Sequence, residues 1–181
     1  MAAIGVFCAS SDAIDPEYLT LARDVGVELA RRGHTLVSGG GCVSMMGAVA
    51  DGARSGGAYT LGVIPESLVA REVADTLADE LVVTTDMAQR KSIMMAKADA
   101  FLTLPGGIGT LDELFEVWTT AVLGFHAKPC VVLDPNGFYS GLLEWLRGLA
   151  SQGFVRTSAL DLLQVVRSVP AALDAVEARI T

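Results

Sequence analysis

The sequence is short of the residues on which several classes of protein depend. It has two histidines and three widely spaced cysteines, Cys8, Cys42 and Cys130, with no Cys-x-x-Cys pair. This pattern argues against a zinc site or a disulfide framework and favours reduced thiols. A Gly-x-Ser-x-Gly segment is also missing, so a serine-hydrolase nucleophile has no support. We therefore expect neither a metal nor a cofactor.

Positive charge and long apolar runs are scarce as well. The chain has 13 Lys and Arg against 21 Asp and Glu, a formal net charge of −8, and no cluster of basic residues. Such a chain repels nucleic acid backbones and anionic membranes. The apolar stretches are strand-sized, and no basic segment precedes the apolar start, so neither a membrane span nor a signal peptide is indicated. We expect a cytoplasmic protein without nucleic acid or membrane partners.

Apolar residues are abundant and regularly arranged. They make up 51% of the 181 residues, which is enough to build the core of one domain spanning 1–181. Short runs rich in Val, Leu and Ile alternate with longer amphipathic segments, as in consecutive βαβ units. Because the short runs are almost continuously apolar, the sheet should be covered on both faces. The pattern predicts an α/β fold, a doubly wound, mostly parallel sheet of about seven strands with helices on both faces.

Two glycine-rich turns follow predicted strands, at the edge where such sheets bind ligands. They are Ser38-Gly39-Gly40-Gly41-Cys42 and Pro105-Gly106-Gly107-Ile108-Gly109-Thr110. Successive glycines let backbone N–H groups approach an anion, and the following helix adds its positive dipole end. The spacing matches neither a Walker A loop nor a dinucleotide fingerprint, which argues against ATP and NAD. Either turn alone could be only a tight turn, but two in one sheet favour a phosphorylated ligand, with Gly40 and Gly41 as candidate contacts.

The second turn has another interpretation. Thr110-x-x-Glu113 matches a capping box, in which Thr110 caps the next helix and Glu113 points back to the turn from the first helical turn. On that helix, Glu113 and Glu116 share a face with Val117 and Thr120. The predicted core stripe consists of Leu111, Leu114, Phe115, Trp118 and Val122.

A predicted helix over 87–99 carries two cations on its apolar face. Arg90 and Lys91 share that face with Met87, Met94, Met95 and Ala98. Because such cations are rarely buried without partners, they require an anionic ligand or an ion pair with Glu113 or Glu116. The alternative is that both side chains extend past the stripe to water.

Together these residues resemble the LONELY GUY (LOG) family of cytokinin riboside 5′-monophosphate phosphoribohydrolases. The motifs that carry the resemblance are Met87-x-x-Arg90-Lys91-x-x-Met94 and Pro105-Gly106-Gly107-x-Gly109-Thr110-x-x-Glu113. The resemblance extends over nearly the whole chain. It implies a Rossmann-like fold and a homodimer with sites near the subunit interface. It also implies hydrolysis of N6-substituted adenosine 5′-monophosphates, and of AMP, to free base and ribose 5-phosphate.

The resemblance also assigns roles to residues. It places catalysis on Arg90 and Glu113. Where family members often have histidine this chain has Ala88, and where many have glycine it has Ser44. Neither difference removes a catalytic group. The implied substrate contacts are Met87, Lys91, Gly107, Ile108, Gly109, Thr110, Leu111 and Asp112, together with Glu72 and Thr119.

Cleavage of a ribose–adenine bond passes through an oxocarbenium-like state, which a carboxylate beside the sugar stabilises. Glu113 could act in this way or could activate the attacking water, and the sequence leaves both roles open. Arg90 stays charged, so it would position groups or stabilise negative charge. The other hypothesis is a carrier that binds a nucleotide or a phosphorylated pterin without converting it.

Overall fold

The computed structural model describes residues 1–69 and 73–180. These residues form one seven-stranded sheet in the order β4-β3-β2-β1-β5-β6-β7. All the strand pairs are parallel, so the predicted sheet is confirmed and is more regular than the mostly parallel sheet expected. The strands are β1 (Ala3–Phe7), β2 (Thr35–Ser38), β3 (Thr60–Pro65), β4 (Glu80–Thr84), β5 (Ala100–Thr103), β6 (Cys130–Leu133) and β7 (Leu163–Val166).

Helices cover both faces of the sheet, as predicted. Alternate strand residues point to opposite sides, so Val6 packs with α1, α2 and α8 while Phe7 packs with α4 and α5. The described helices are α1 (Pro16–Arg31), α2 (Ser44–Ser55), α3 (Glu66–Val69), α4 (Met87–Lys97), α5 (Ile108–Val122), α6 (Ser140–Ser151), α7 (Thr157–Leu160) and α8 (Val169–Glu177). Within the described ranges, none of these helices has the length and apolar character needed to span a bilayer.

The strand order locates the functional edge of the sheet. From β1 the chain proceeds outward through β2 and β3 to β4, and then returns to place β5 on the other side of β1. The register pairs Phe7 with Thr103, so β1 and β5 end side by side. The loops after these two strands diverge from this point and leave a crevice between them, which is where open α/β sheets bind ligands.

The ends of α1 and α8 are joined by an ion-pair network. Arg32 lies 2.7 Å from Glu28, 2.7 Å from Asp174 and 2.9 Å from Glu177. Glu28 also accepts hydrogen bonds from Arg31. Hydrogen bonds from Arg31 and Arg32 lower the pKa of Glu28 from 4.5 to about 2. The network therefore ties the first and last helices together through a carboxylate that stays charged in mild acid.

This network should account for part of the stability that the protein loses in acid. Because the folded-state pKa of Glu28 is lowered, its contribution to stability is present above pH 4.5 and is lost as the pH falls towards 2. Glu28→Gln is expected to remove about 1–2 kcal/mol of this pH-dependent stability, allowing for solvent screening. Urea unfolding across that pH window measures the effect, with Glu144→Gln on α6 as the control. An equal acid loss in both variants would contradict the assignment.

Candidate active site

A cavity of about 320 Å³ opens at the crevice between β1 and β5. Its walls come from the loop after β1, the end of β2, α4 and the start of α5. The lining residues are Val6, Cys8, Ala9, Ser10, Ser11, Gly39, Met46, Leu68, Met87, Arg90, Gly107, Ile108, Gly109, Thr110 and Glu113. The topological switch point, the second glycine turn and both predicted catalytic residues therefore meet at one place.

Arg90 projects from the first turn of α4 towards the sheet and is 5% exposed. Its Nε donates to the carbonyl of Val63 at 3.0 Å, and its Nη2 donates to the carbonyl of Gly39 at 3.1 Å. Its Nη1 lies 3.4 Å from Oε1 of Glu113. The backbone of β3 and of the turn after β2 therefore orients the guanidinium so that one nitrogen faces Glu113.

Glu113 lies in the second turn of α5 and is 7% exposed. Its carboxylate lines the cavity beside the glycine turn that begins the same helix. Charges that are buried to this extent need a partner, and these two side chains supply it for each other. The predicted Arg90–Glu113 ion pair is confirmed, and the alternative in which Arg90 reaches bulk water is wrong.

The second glycine turn starts α5 differently from the capping-box prediction. The helix begins at Ile108 with Gly107 as its N-cap, and no side chain in the described parts of the chain caps it. Thr110 therefore lies inside the first turn, where its side chain packs against Gly106. The capping-box interpretation is wrong because the helix starts three residues earlier than that motif requires. The N-terminal amides of α5 consequently face the cavity mouth, a geometry that suits an anion.

Tyr139 forms a hydrogen bond to the strand end that leads into the same turn. Its buried hydroxyl donates to the carbonyl of Leu104 at 2.8 Å, and burial raises its pKa, so it remains a donor at ordinary pH.

Tyr139→Phe should lower the free energy of unfolding by about 1–2 kcal/mol because it leaves a buried carbonyl unpaired. It should also weaken ribose 5-phosphate binding. Urea unfolding and calorimetric titration test this, and Tyr59→Phe at the exposed rim of β3 is the control. Unchanged binding would refute the supporting role.

Comparison with known proteins identifies the family. A family model described as "Possible lysine decarboxylase" matches residues 46–176. A cytokinin riboside 5′-monophosphate phosphoribohydrolase from Mycobacterium tuberculosis is 54% identical over 95% of this chain and 91% of its own length. A phosphoribohydrolase of the same kind from Arabidopsis thaliana is 41% identical over 96% of this chain and 80% of its own length. The chain belongs to the LOG family.

Solved structures agree with this family at the level of the fold. A molybdenum cofactor binding protein from Rippkaea orientalis superposes with a TM-score of 0.74 at 24% identity, covering 99% of this LOG-family chain and 98% of its own. A molybdenum cofactor carrier protein from Chlamydomonas reinhardtii superposes with a TM-score of 0.73 at 23% identity, covering 98% and 96%. At these identities the likeness shows the Rossmann-like fold alone.

The structure divides the substrate contacts implied by the LOG motifs into two groups. Met87, Gly107, Ile108, Gly109 and Thr110 line the cavity with Arg90 and Glu113. The others lie elsewhere. Lys91 pairs with Asp112 at 2.9 Å and with Glu116 at 2.7 Å outside the cavity, Leu111 packs beside Tyr139, Thr119 is on the exposed face of α5, and Glu72 falls outside the described residues.

The first glycine turn also separates into different positions. Gly39 lines the cavity, whereas Gly40 and Gly41 do not. Gly40 has a φ of 74° and lies against the backbone of β3, and Gly41 forms a bridge with Ala74. The role of Gly40 and Gly41 as substrate contacts stays a prediction, and their described contacts are with the protein itself.

The loop after β1 forms a cavity wall that the sequence patterns did not indicate. Cys8, Ala9, Ser10 and Ser11 contribute to it, although no glycine pattern marks them. Ser44 holds this loop, since its Oγ donates to the carbonyl of Ser11 at 2.6 Å. Ser44 has a φ of 51°, in the left-handed region that suits the glycine many LOG members have there. In the sequence, the one feature that could have indicated this wall is the position of the loop directly after the first predicted strand.

The buried stripe of α5 differs from the predicted one. Its members are Thr110, Glu113, Leu114, Val117 and Trp118. Leu111 and Phe115 are only partly buried, and Val122 is 41% exposed. The prediction assumed that all large apolar residues face the sheet. Instead Glu113 lies on the inner face because Arg90 meets it there, and part of the apolar surface faces outward.

Proposed function

We propose that this chain hydrolyses the N-glycosidic bond of adenosine 5′-monophosphates that carry an N6 substituent, and of AMP, to free base and ribose 5-phosphate. The proposal depends on one observation: the buried Arg90–Glu113 pair lines a cavity that the N-terminus of α5 also lines. The phosphoribohydrolase names of relatives with 54% and 41% identity support the same activity. These relatives favour hydrolysis over the carrier hypothesis.

The cavity suggests how the substrate would lie. The 5′-phosphate would bind at the amides of Ile108, Gly109 and Thr110, where the dipole of α5 favours negative charge. Glu113 lies about one helical turn further along α5 than these amides, and it would face the ribose. This places the carboxylate where repulsion from the phosphate is reduced and where positive charge develops on the sugar.

The reaction needs only the substrate and water. The water oxygen forms a bond to C1′, the C1′–N9 bond breaks, and the base leaves with a proton while ribose 5-phosphate remains. Glu113 would stabilise the oxocarbenium-like state or remove the proton of the attacking water. Arg90 would hold Glu113 in place and offset negative charge.

We also propose that the chain forms a homodimer through the outer face of α5. Residues 108, 112, 115, 119 and 122 are spaced by three or four along one helical face. On this face Ile108 is 87% exposed, and the adjacent Phe125 is 77% exposed. An apolar groove of about 420 Å³ between α5, α6 and α7 continues this surface. Exposed apolar surface of this kind is typical of protein interfaces.

This arrangement also accounts for Thr119. The family resemblance assigns Thr119 to nucleotide binding. In the same protomer, however, Thr119 does not line the cavity, because it lies three turns along α5 from Ile108. A second copy packed on this face would bring its Thr119 towards the neighbouring cavity. The cytoplasmic location rests on the sequence and stays a prediction.

The activity is tested by incubating purified protein with AMP and with N6-isopentenyl-AMP and measuring base and ribose 5-phosphate by chromatography. The matching nucleosides, which lack the phosphate, are the control and should react at least 100-fold more slowly. Binding of the nucleotides without release of base would instead establish the carrier.

The dimer is tested separately by light scattering. Leu123→Asp at the end of α5 should produce monomers, while Val83→Asp, at a similarly exposed apolar position on β4, should not. A monomeric wild type would rule out the dimer without affecting the activity.

A further inference from the structure

The first glycine turn contacts Arg90, the arginine proposed for catalysis. Nη2 of Arg90 donates to the carbonyl of Gly39, and Nε donates to the neighbouring carbonyl of Val63. These two nitrogens lie on one edge of the planar guanidinium, so two carbonyls hold that edge. Nη1 is the nitrogen that faces Glu113.

The guanidinium also lies in the space that a side chain at position 39 would need. A Cβ at position 39 would lie 2.0 Å from Nη2 and 3.1 Å from Cζ of Arg90. The next nearest atom is the sulfur of Met46, at 3.2 Å. Any side chain at position 39 would therefore occupy the space in which the guanidinium lies.

The neighbouring glycine is required for a different reason. Gly40 has a φ of 74°, and a Cβ there would lie 2.9 Å from the backbone nitrogen of Val63. A substitution at Gly40 thus strains the fold itself. Gly39 shows no positive φ, and its nearest neighbours are the ends of two flexible side chains. An alanine at position 39 can be accommodated by the fold, but only if Arg90 moves.

We propose that Gly39 is a positioning residue for Arg90: the missing side chain lets the guanidinium lie against the turn and directs Nη1 to Glu113. The triple-glycine turn then positions the arginine, and the phosphate would bind at the other glycine turn, which begins α5. This inference rests on the proposed hydrolysis only for its kinetic readout.

The experiment is a double-mutant cycle of Gly39→Ala and Arg90→Ala. Gly39→Ala alone should lower kcat by about 100-fold, as a shift of about 1 Å in a catalytic group does. Its ribose 5-phosphate affinity should stay within about threefold of wild type, because the phosphate turn is intact. In the Arg90→Ala background the added alanine should change kcat by less than about threefold, since the displaced group is absent.

Thermal unfolding provides a readout that does not depend on activity. Gly39→Ala should lower the Tm of the wild type but not that of Arg90→Ala, where the space is empty. If Gly39→Ala alone fails to fold, Gly39→Ala/Arg90→Ala should fold. Gly141→Ala, on an exposed face of α6 with open space around it, is the control. Additive losses in kcat or Tm, wild-type kcat in Gly39→Ala, or misfolding in both backgrounds would overturn the proposal.

Discussion

Glu113→Gln is expected to lower kcat by about 1,000-fold, within the 10²–10⁴-fold range of a positioned acid–base group. The substitution keeps the shape of the side chain but removes the charge that faces the ribose. Because the phosphate would bind at the start of α5 instead, the affinity for ribose 5-phosphate should change by less than about threefold. Steady-state kinetics with N6-isopentenyl-AMP and titration with the product separate the two effects.

A matched substitution on the same helix controls for loss of a carboxylate as such. Glu116→Gln lies three residues further along α5, where Glu116 pairs with Lys91 outside the cavity. It should retain turnover within about threefold of wild type, as expected for a partly exposed pair. Glu113→Asp should retain more activity than Glu113→Gln if charge matters most. Wild-type turnover in Glu113→Gln would remove Glu113 from the mechanism.

Arg90→Ala should reduce both stability and activity. It leaves the buried Glu113 without its guanidinium and removes the donor from the carbonyls of Val63 and Gly39. Breaking a buried pair on one side costs about 3–5 kcal/mol of unfolding free energy. Turnover should fall by about 10²–10³-fold with the lost charge stabilisation. Urea unfolding and kinetics on the same preparation measure both quantities.

The adjacent cation offers the stability control. Lys91→Ala removes a pair on a partly exposed surface of α4 and should cost no more than about 1 kcal/mol. Arg90→Lys keeps the charge but loses the planar group with several N–H donors, so turnover should lie between that of wild type and that of Arg90→Ala. If Arg90→Ala and Lys91→Ala proved equally stable, the buried pair would not have the importance assigned to it.

The fold was predictable because local patterns and global architecture agree in this chain. Apolar strands separated by amphipathic helices leave few arrangements other than a parallel sheet covered on both faces. Asp15 before Pro16 is a typical helix-start sequence, and the structure shows Asp15 as the N-cap of α1. Arg90 and Glu113 were identified because cations on an apolar stripe need a partner, and because each belongs to a motif that carries the family resemblance.

The details of α5 were not predictable in the same way. Thr110-x-x-Glu113 fits a local cap, but Gly107 starts the helix earlier, and packing of Thr110 on Gly106 decides between the two. The apolar residues of α5 could face either the sheet or a partner, because periodicity reports that a face is apolar and not what covers it. The roles within Gly39-Gly40-Gly41 likewise depend on which neighbour approaches each glycine.

By itself, the sequence determined the parallel α/β architecture, the family and the two residues proposed for catalysis. These follow from the order of apolar segments and from two linked motifs, which are properties of the chain as written. Only the tertiary structure decided that Gly39 meets Arg90, that Lys91 turns to Asp112 and Glu116, and that Thr119 lies outside its own cavity. Those facts depend on the distances between segments far apart in the chain, which packing sets and no local pattern encodes.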